Sequence, residues 1–260
     1  MRDLRGPALF VIATFALTWG TASLIDTRAT TLLGATLVYA AVVGWQPLVA
    51  RWLSRWLVDD QRGLDPGDRA ATTPFSVLSI VAPLVLLALA ALAAGSRIPA
   101  HVALPADLVD ASSTYLGMIA VLWLQAIAEE IAWRGYLLPR LMRRLGSWPG
   151  LLVHGVLWGV CYAPIVFAGN FVVTCCLLGV LLGWLRLASG SVYASAASNA
   201  TLTICAGLPL ALQGAPAPLG AVFEPIGWLP MLAAIAWICL RSPLRAAITV
   251  PERPLPEHVN

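Results

Sequence analysis

The chain has 260 residues, 59% of them hydrophobic and 11% charged, with a mean hydropathy of +0.81. A water-soluble domain carries about 25% charged residues, so the composition excludes one and reads as an all-α, polytopic membrane protein. The net charge of +3 rests on sixteen basic residues, all arginine; their placement follows membrane topology and gives no sign of nucleic-acid binding.

A helix needs about 20 apolar residues to cross the hydrocarbon layer. About eight segments qualify: 7–25, 31–50, 74–95, 114–133, 148–167, 171–188, 191–212 and 221–240. The first exceeds the roughly 7–15-residue core of a cleaved signal peptide and is expected to stay in place. The loop 58–72, "VDDQRGLDPGDRAAT", is polar and mixed in sign, a solvated cytoplasmic connector. The third span is expected to end at Gly95, and the loop after it carries Pro99 and Pro105. Ser147 is a plausible N-cap for the fifth span, with Pro149 in its first turn. "AGN" alone separates the fifth span from the sixth, which implies a tight hairpin. The tail 245–260 is rich in proline and expected to be flexible.

With the N-terminus in the cytoplasm, fourteen arginines fall inside and only Arg28 and Arg97 outside. That asymmetry satisfies the positive-inside rule and puts both termini in the cytoplasm. Trp45, Trp52, Trp56, Trp148, Trp184 and Trp228 sit near span ends, as an aromatic belt requires. The five cysteines, Cys161, Cys175, Cys176, Cys205 and Cys239, lie in apolar runs without a CxxC pair. They read as small buried hydrophobes and not as metal ligands or disulfides. His154 also lies in an apolar run, where a hydrogen-bonded packing role is the plainer reading.

Glu129 and Glu130 stand apart from the other acidic residues, which lie in loops, helix ends or tails. An ionised side chain at mid-bilayer costs about 2.5–3.5 kcal/mol even on insertion scales, so an intramembrane carboxylate is a functional candidate. Glu129 lies about fifteen residues into the fourth span, or roughly 22 Å, in the cytoplasmic third of the membrane. Adjacent helical residues differ by about 100° around the axis. Glu130 shares a face with Arg134, four residues on, in the favoured order for an ion pair. Glu129 points elsewhere, without an obvious local partner, and facing the bundle interior it suits a general base. The plainer alternative is an interfacial ion pair with Glu129 snorkelling to the headgroups.

The stretch "EEIAWRGYLLPRLMRRLG" resembles the EExxxR motif of the CPBP family of intramembrane proteases, which takes in CAAX-type prenyl proteases and bacteriocin-processing or self-immunity proteins. "WGVCYAP", 158–164, resembles that family's second motif, and "GSVYASAASNATLT", 190–203, its third. The resemblance covers 114–206 within a single transmembrane domain, 1–260, and implies a family-like core in helices 4–7. It implies a site of Glu129, Glu130, Tyr162 and Asn199, supported by Arg134, Trp158 and Thr203. Both signature histidines are replaced: Tyr162 stands at the second-motif position and Asn199 at the third, with Thr203 where an asparagine belongs. The family's histidines are read either as metal ligands or as an oxyanion pocket. A zinc site needs three or four ligands, so no metal or other cofactor is expected here. His154 lies eight residues, about 12 Å, from position 162 and cannot replace the lost imidazole.

The resemblance implies a peptidase, divergent in its active site, acting on membrane-embedded or membrane-associated peptides or proteins. One alternative is a pseudoprotease that binds a membrane peptide or confers immunity. Another is a small proton-coupled transporter using Glu129. The expected location is a bacterial cell membrane.

Overall fold

The computed structural model describes residues 5–24, 42–58, 73–94, 108–164, 169–207 and 222–241. Every regular element among them is helical, and the molecule is an all-α membrane protein. Helix α1 covers Arg5–Leu24; a 3₁₀ turn at Val43–Trp45 leads into α2, Gln46–Leu57; α3 covers Thr73–Ala93. Helix α4, Leu108–Ala132, passes through a π-helical turn, Trp133–Leu137, into α5, Leu138–Leu145. Then follow α6, Ser147–Cys161; α7, Gly169–Ser189; and α8, Val192–Leu202, which ends in a second π-turn, Thr203–Gly207. A 3₁₀ turn at Pro225–Gly227 opens α9, Trp228–Arg241. Among the described residues α1, α3 and α7 are long and apolar enough to cross a membrane, and Pro225–Arg241 is a shorter apolar stretch. Most of the expected second span, the loop 58–72 and the tail 245–260 lie outside the described residues.

Three boundaries differ from the sequence expectation, each for a local reason. The fourth span does not stop at 133: α4, π-turn and α5 form one continuous rod to Leu145. Pro139 has no N–H to offer the Gly135 carbonyl. The preceding turn adopts the wider pattern, with the Leu138 N–H on the Trp133 carbonyl. The fifth span ends at Cys161 and not at 167, because Pro164 disfavours helical geometry in the residue before it. Of the expected "AGN" connector, Gly169 and Asn170 belong to α7, and residues 165–168 lie outside the described residues. Ser147 is not a cap; it is the first residue of α6, and Gly146 holds the N-cap position with no side-chain bond. Gly146 takes φ +92°, a left-handed conformation that reverses the chain between α5 and α6 and that glycine adopts without strain.

Between helices in lipid there is little hydrophobic driving force, so close backbone approach and van der Waals contact must hold them together. The α6–α7 pair is built this way from two GxxxG runs, Gly155/Gly159 and Gly179/Gly183. A methyl at Gly155 would lie 2.8 Å from the Cys176 carbonyl oxygen, and one at Gly179 would lie 2.8 Å from the Gly155 Cα. A methyl at Gly159 would collide with Cys176 Sγ. Helix α8 is likewise small-sided, with Ala194, Ser195, Ala196 and Ala200 buried where it packs on α3, α4 and α7. The largest cluster of buried apolar side chains joins Phe10 of α1, Leu87 of α3, Trp133, Tyr136 and Leu137 of the π-turn, and Trp158 of α6. Phe10 meets Trp133 edge-on at 5.3 Å.

Gly155→Ala is expected to destabilise the protein by about 1–3 kcal/mol through overpacking, whereas Gly20→Ala, with nothing within 4 Å, should be neutral or slightly stabilising. Thermal unfolding of both variants in one detergent checks the contrast, and equal midpoints would remove the glycine contact as the basis of the hairpin.

Candidate active site

Helix α4 delivers Glu129 and Glu130 one turn before the π-turn, and both are buried. Glu129 is 2% exposed and does not snorkel to an interface. The ion pair expected from spacing is present: Arg134 Nη1 donates to Glu130 Oε1 at 2.8 Å, with both side chains fully buried. Because Arg134 belongs to the π-turn, its side chain also lies over α6, with its guanidinium carbon 4.3 Å from the centre of the Trp158 ring. Cation and indole thus attract across a desolvated interface.

Helix α8 brings Asn199 to the same point. Its Nδ2 donates to Glu129 Oε2 at 3.3 Å and to Glu130 Oε1 at 3.2 Å. Although the two glutamates leave α4 about 100° apart, one amide bridges them. From α6, Tyr162 sets its ring edge-on to Trp158 at 5.5 Å and its hydroxyl against the Glu129 carboxylate. Tyr162 is the residue that closes α6, in the bridge conformation at φ −91°, ψ −2°. Six of the seven residues expected from the sequence therefore meet at one place: Glu129, Glu130, Arg134, Trp158, Tyr162 and Asn199. Thr203 does not join them by its hydroxyl, which donates to the Asn199 carbonyl at 3.0 Å and ties the next turn to α8.

Two participants escaped the sequence reading. Gln125 Nε2 donates to Glu129 Oε1 at 2.9 Å, so Glu129 does have a local partner. The signal was the i,i+4 spacing Gln125–Glu129, the same rule that pairs Glu130 with Arg134. Gly44, in the turn before α2, is the second: a side chain there would run into Gln125. Ser195, one turn before Asn199, approaches Glu130 while donating to the Val192 carbonyl at 2.9 Å. Helix α1 closes the neighbouring end of α6, with Trp19 Nε1 donating to the Cys161 carbonyl at 3.1 Å.

His154 is fully buried but elsewhere on α6, edge-on to Trp133 at 6.0 Å. The donor chemistry of the cluster does not fit a resident zinc ion. Among the described residues its anionic ligands are two adjacent carboxylates, and a guanidinium and the side-chain amides of Gln125 and Asn199 occupy their oxygens. Among the described residues no three His, Cys, Asp or Glu side chains group as metal ligands. The cluster instead sets hydrogen-bond donors from three helices around two acids, an arrangement complementary to negative charge.

Glu130→Gln strands the Arg134 charge in the interior, at a cost of about 3–5 kcal/mol. Glu129→Gln keeps an acceptor for its amide neighbours and should cost about 1 kcal/mol. Unfolding in detergent ranks the two, and a Glu129 variant that proves the weaker would reverse the assignment of structural and free acid.

Residues 111–204, from α4 through α8, match the family model described as Rce1-like, Type II CAAX prenyl endopeptidase Rce1-like. No curated protein sequence matches the chain. The matched region contains every residue of the cluster as well as both GxxxG runs. Over this segment, about a third of its length, the chain is similar to the Rce1-like family of type II CAAX prenyl endopeptidases.

Proposed function

We propose that the chain is an intramembrane peptidase acting on membrane-associated peptides or proteins, with a metal-free site altered from the family pattern. The observation that carries this reading is the Asn199 amide joining Glu129 and Glu130 while Tyr162 faces Glu129 from another helix. Glu130 is held by Arg134 and serves structure. Glu129 is the acid left for chemistry. It takes a proton from a water whose oxygen attacks the scissile carbonyl. The Tyr162 hydroxyl donates to the oxyanion that forms, and Glu129 returns the proton to the leaving amine. Asn199 spends its two N–H bonds on the carboxylates and acts as their clamp. Gln125 orients Glu129 from one turn away. The excess of arginine on one side supports a cell-membrane protein with both termini in the cytoplasm, and the use of arginine to the exclusion of lysine supports a bacterial source.

A second reading has its own support. Among the described residues no imidazole reaches the cluster, His154 being turned to Trp133, and the carboxylate oxygens are already engaged by donors. A catalytically inactive relative that binds a membrane peptide, or confers immunity to one, would keep such a cluster for structure.

Purified protein incubated with a library of membrane peptides separates the two. The peptidase reading expects cleavage that Glu129→Gln abolishes and that Tyr162→Phe slows about 10²–10³-fold, the usual loss for one oxyanion donor. Peptide binding without cleavage selects the second reading, and cleavage by Glu129→Gln at the parent rate ends the base assignment. Tyr162→His with Asn199→His tests whether imidazoles alone are missing: the pseudoprotease reading expects activity to appear in the double variant.

A further inference from the structure

Helix α1 lies outside the matched residues 111–204, yet it grips the residue before Tyr162 twice. Trp19 Nε1 donates to the Cys161 carbonyl at 3.1 Å, and the Cys161 thiol donates to Thr18 Oγ1 at 3.7 Å. Thr18 and Cys161 are both buried. Phe15, one turn earlier on α1, stacks on Trp19 with ring centres 5.5 Å apart and planes within 27°, which sets the direction of the indole. The last turn of α6 tightens to three-residue bonds. The Tyr162 N–H donates to the Gly159 carbonyl at 3.2 Å, and the Ala163 N–H to the Val160 carbonyl at 3.1 Å. The next donor in that series is residue 164, a proline without an N–H, so the Cys161 carbonyl is left for another partner. The indole of Trp19 supplies the bond that the proline lacks.

We propose that Trp19 is a positioning residue for Tyr162. The Cys161 carbonyl and the Tyr162 N–H belong to one planar peptide. The indole holds one side of that peptide and the Gly159 carbonyl the other, so its plane is fixed. From that plane the Tyr162 backbone, at φ −91° and ψ −2°, aims its Cβ in one direction. Trp158 supports the ring edge-on at 5.5 Å, and the hydroxyl meets the Glu129 carboxylate. Without the indole N–H one side of the peptide is released, and a small rotation there is magnified at the hydroxyl, the far end of the side chain. A misplacement of about 1 Å at a reacting group can cost roughly 10²-fold in rate. The effect on rate rests on the peptidase reading; the placement of the phenol does not.

The test uses the full-length protein in a mild detergent, with 3-fluorotyrosine in place of Tyr162 or of Tyr136, read by fluorine NMR. Tyr136 reports the general seating of α1, because Phe10 packs on its ring at 5.4 Å. Trp19→Phe keeps an aromatic ring beside Phe15 and removes the N–H. The position-162 signal is expected to shift and broaden while the position-136 signal stays. An unchanged position-162 signal overturns the proposal. Movement of both signals also overturns it, because Trp19 would then only seat α1. Should Trp19→Phe fail to fold, Phe15→Leu, which loosens the indole and leaves its N–H, decides the matter: a shift at position 162 alone supports the proposal and no shift overturns it. In the peptide-cleavage assay Trp19→Phe is expected to lower kcat up to about 10²-fold with KM unchanged, and to add nothing in Tyr162→Phe. Losses that multiply in the double variant overturn the proposal. A parent that cleaves nothing ends the peptidase reading, and the fluorine result then judges Trp19 by itself.

Discussion

The interior of this protein depends on a charge that water cannot reach. Arg134 is fully buried, and a guanidinium there is tolerable only because Glu130 meets it at 2.8 Å and the Trp158 ring faces it at 4.3 Å. A buried pair of this kind is weak as a source of net stability, since desolvating both ions offsets much of their attraction. Its consequence is geometric. Once Arg134 must reach both Glu130 and Trp158, the π-turn of the α4–α5 rod has one permitted position against α6. Asn199 then has a fixed target, because the same Glu130 Oε1 that receives Arg134 also accepts its amide at 3.2 Å.

The glycine seam between α6 and α7 serves the same end at a distance. Where Gly155 and Gly179 bring two backbones into contact, side chains on the flanks of α6 are aimed by main-chain packing and not by their own rotamer choice. Trp158 lies between Gly155 and Gly159 in sequence, and it buttresses Arg134 on one side and Tyr162 on the other. Pro164 then stops the helix just beyond Tyr162, so the phenol is presented from a helix end with bridge-region backbone, where a side chain can leave the bundle's regular spacing. Stiff packing around a few polar groups is what a site needs if it is to stabilise charge without paying to reorganise.

Tyr162 and Asn199 set what the cluster can do more than how it is built. The cluster holds a phenol and an amide, and both are directed at carboxylates. An imidazole can accept a proton or hold a metal near neutral pH; a phenol and an amide offer hydrogen bonds and little else. Both therefore stand as donors, and within the cluster the groups able to take up a proton are the glutamates.

Much of this was legible in the residues. Apolar run lengths indicated a helical membrane protein, and helix spacing alone paired Glu130 with Arg134, because an i,i+4 relation is a property of one helix and needs no tertiary information. Three separate motifs pointed to Glu129, Tyr162 and Asn199 as neighbours, which reading from periodicity could not have done. The same local rule would have linked Gln125 to Glu129 had it been applied to amides. Helix ends were less legible: Pro139 and Pro164 are visible in the sequence, but whether a proline ends a helix or only widens one turn depends on what packs around it.

The sequence by itself determined which groups are too polar for lipid and must find partners inside, since the cost of burying a charge belongs to the side chain. Only the tertiary structure decided that one asparagine would serve both acids, that Gly44 would rest on Gln125, and that α2 would turn its stacked tryptophans outward. Those relations join residues scores of positions apart. They follow from how closely whole helices can approach, a quantity set by every small side chain along the seam and by no single stretch of chain.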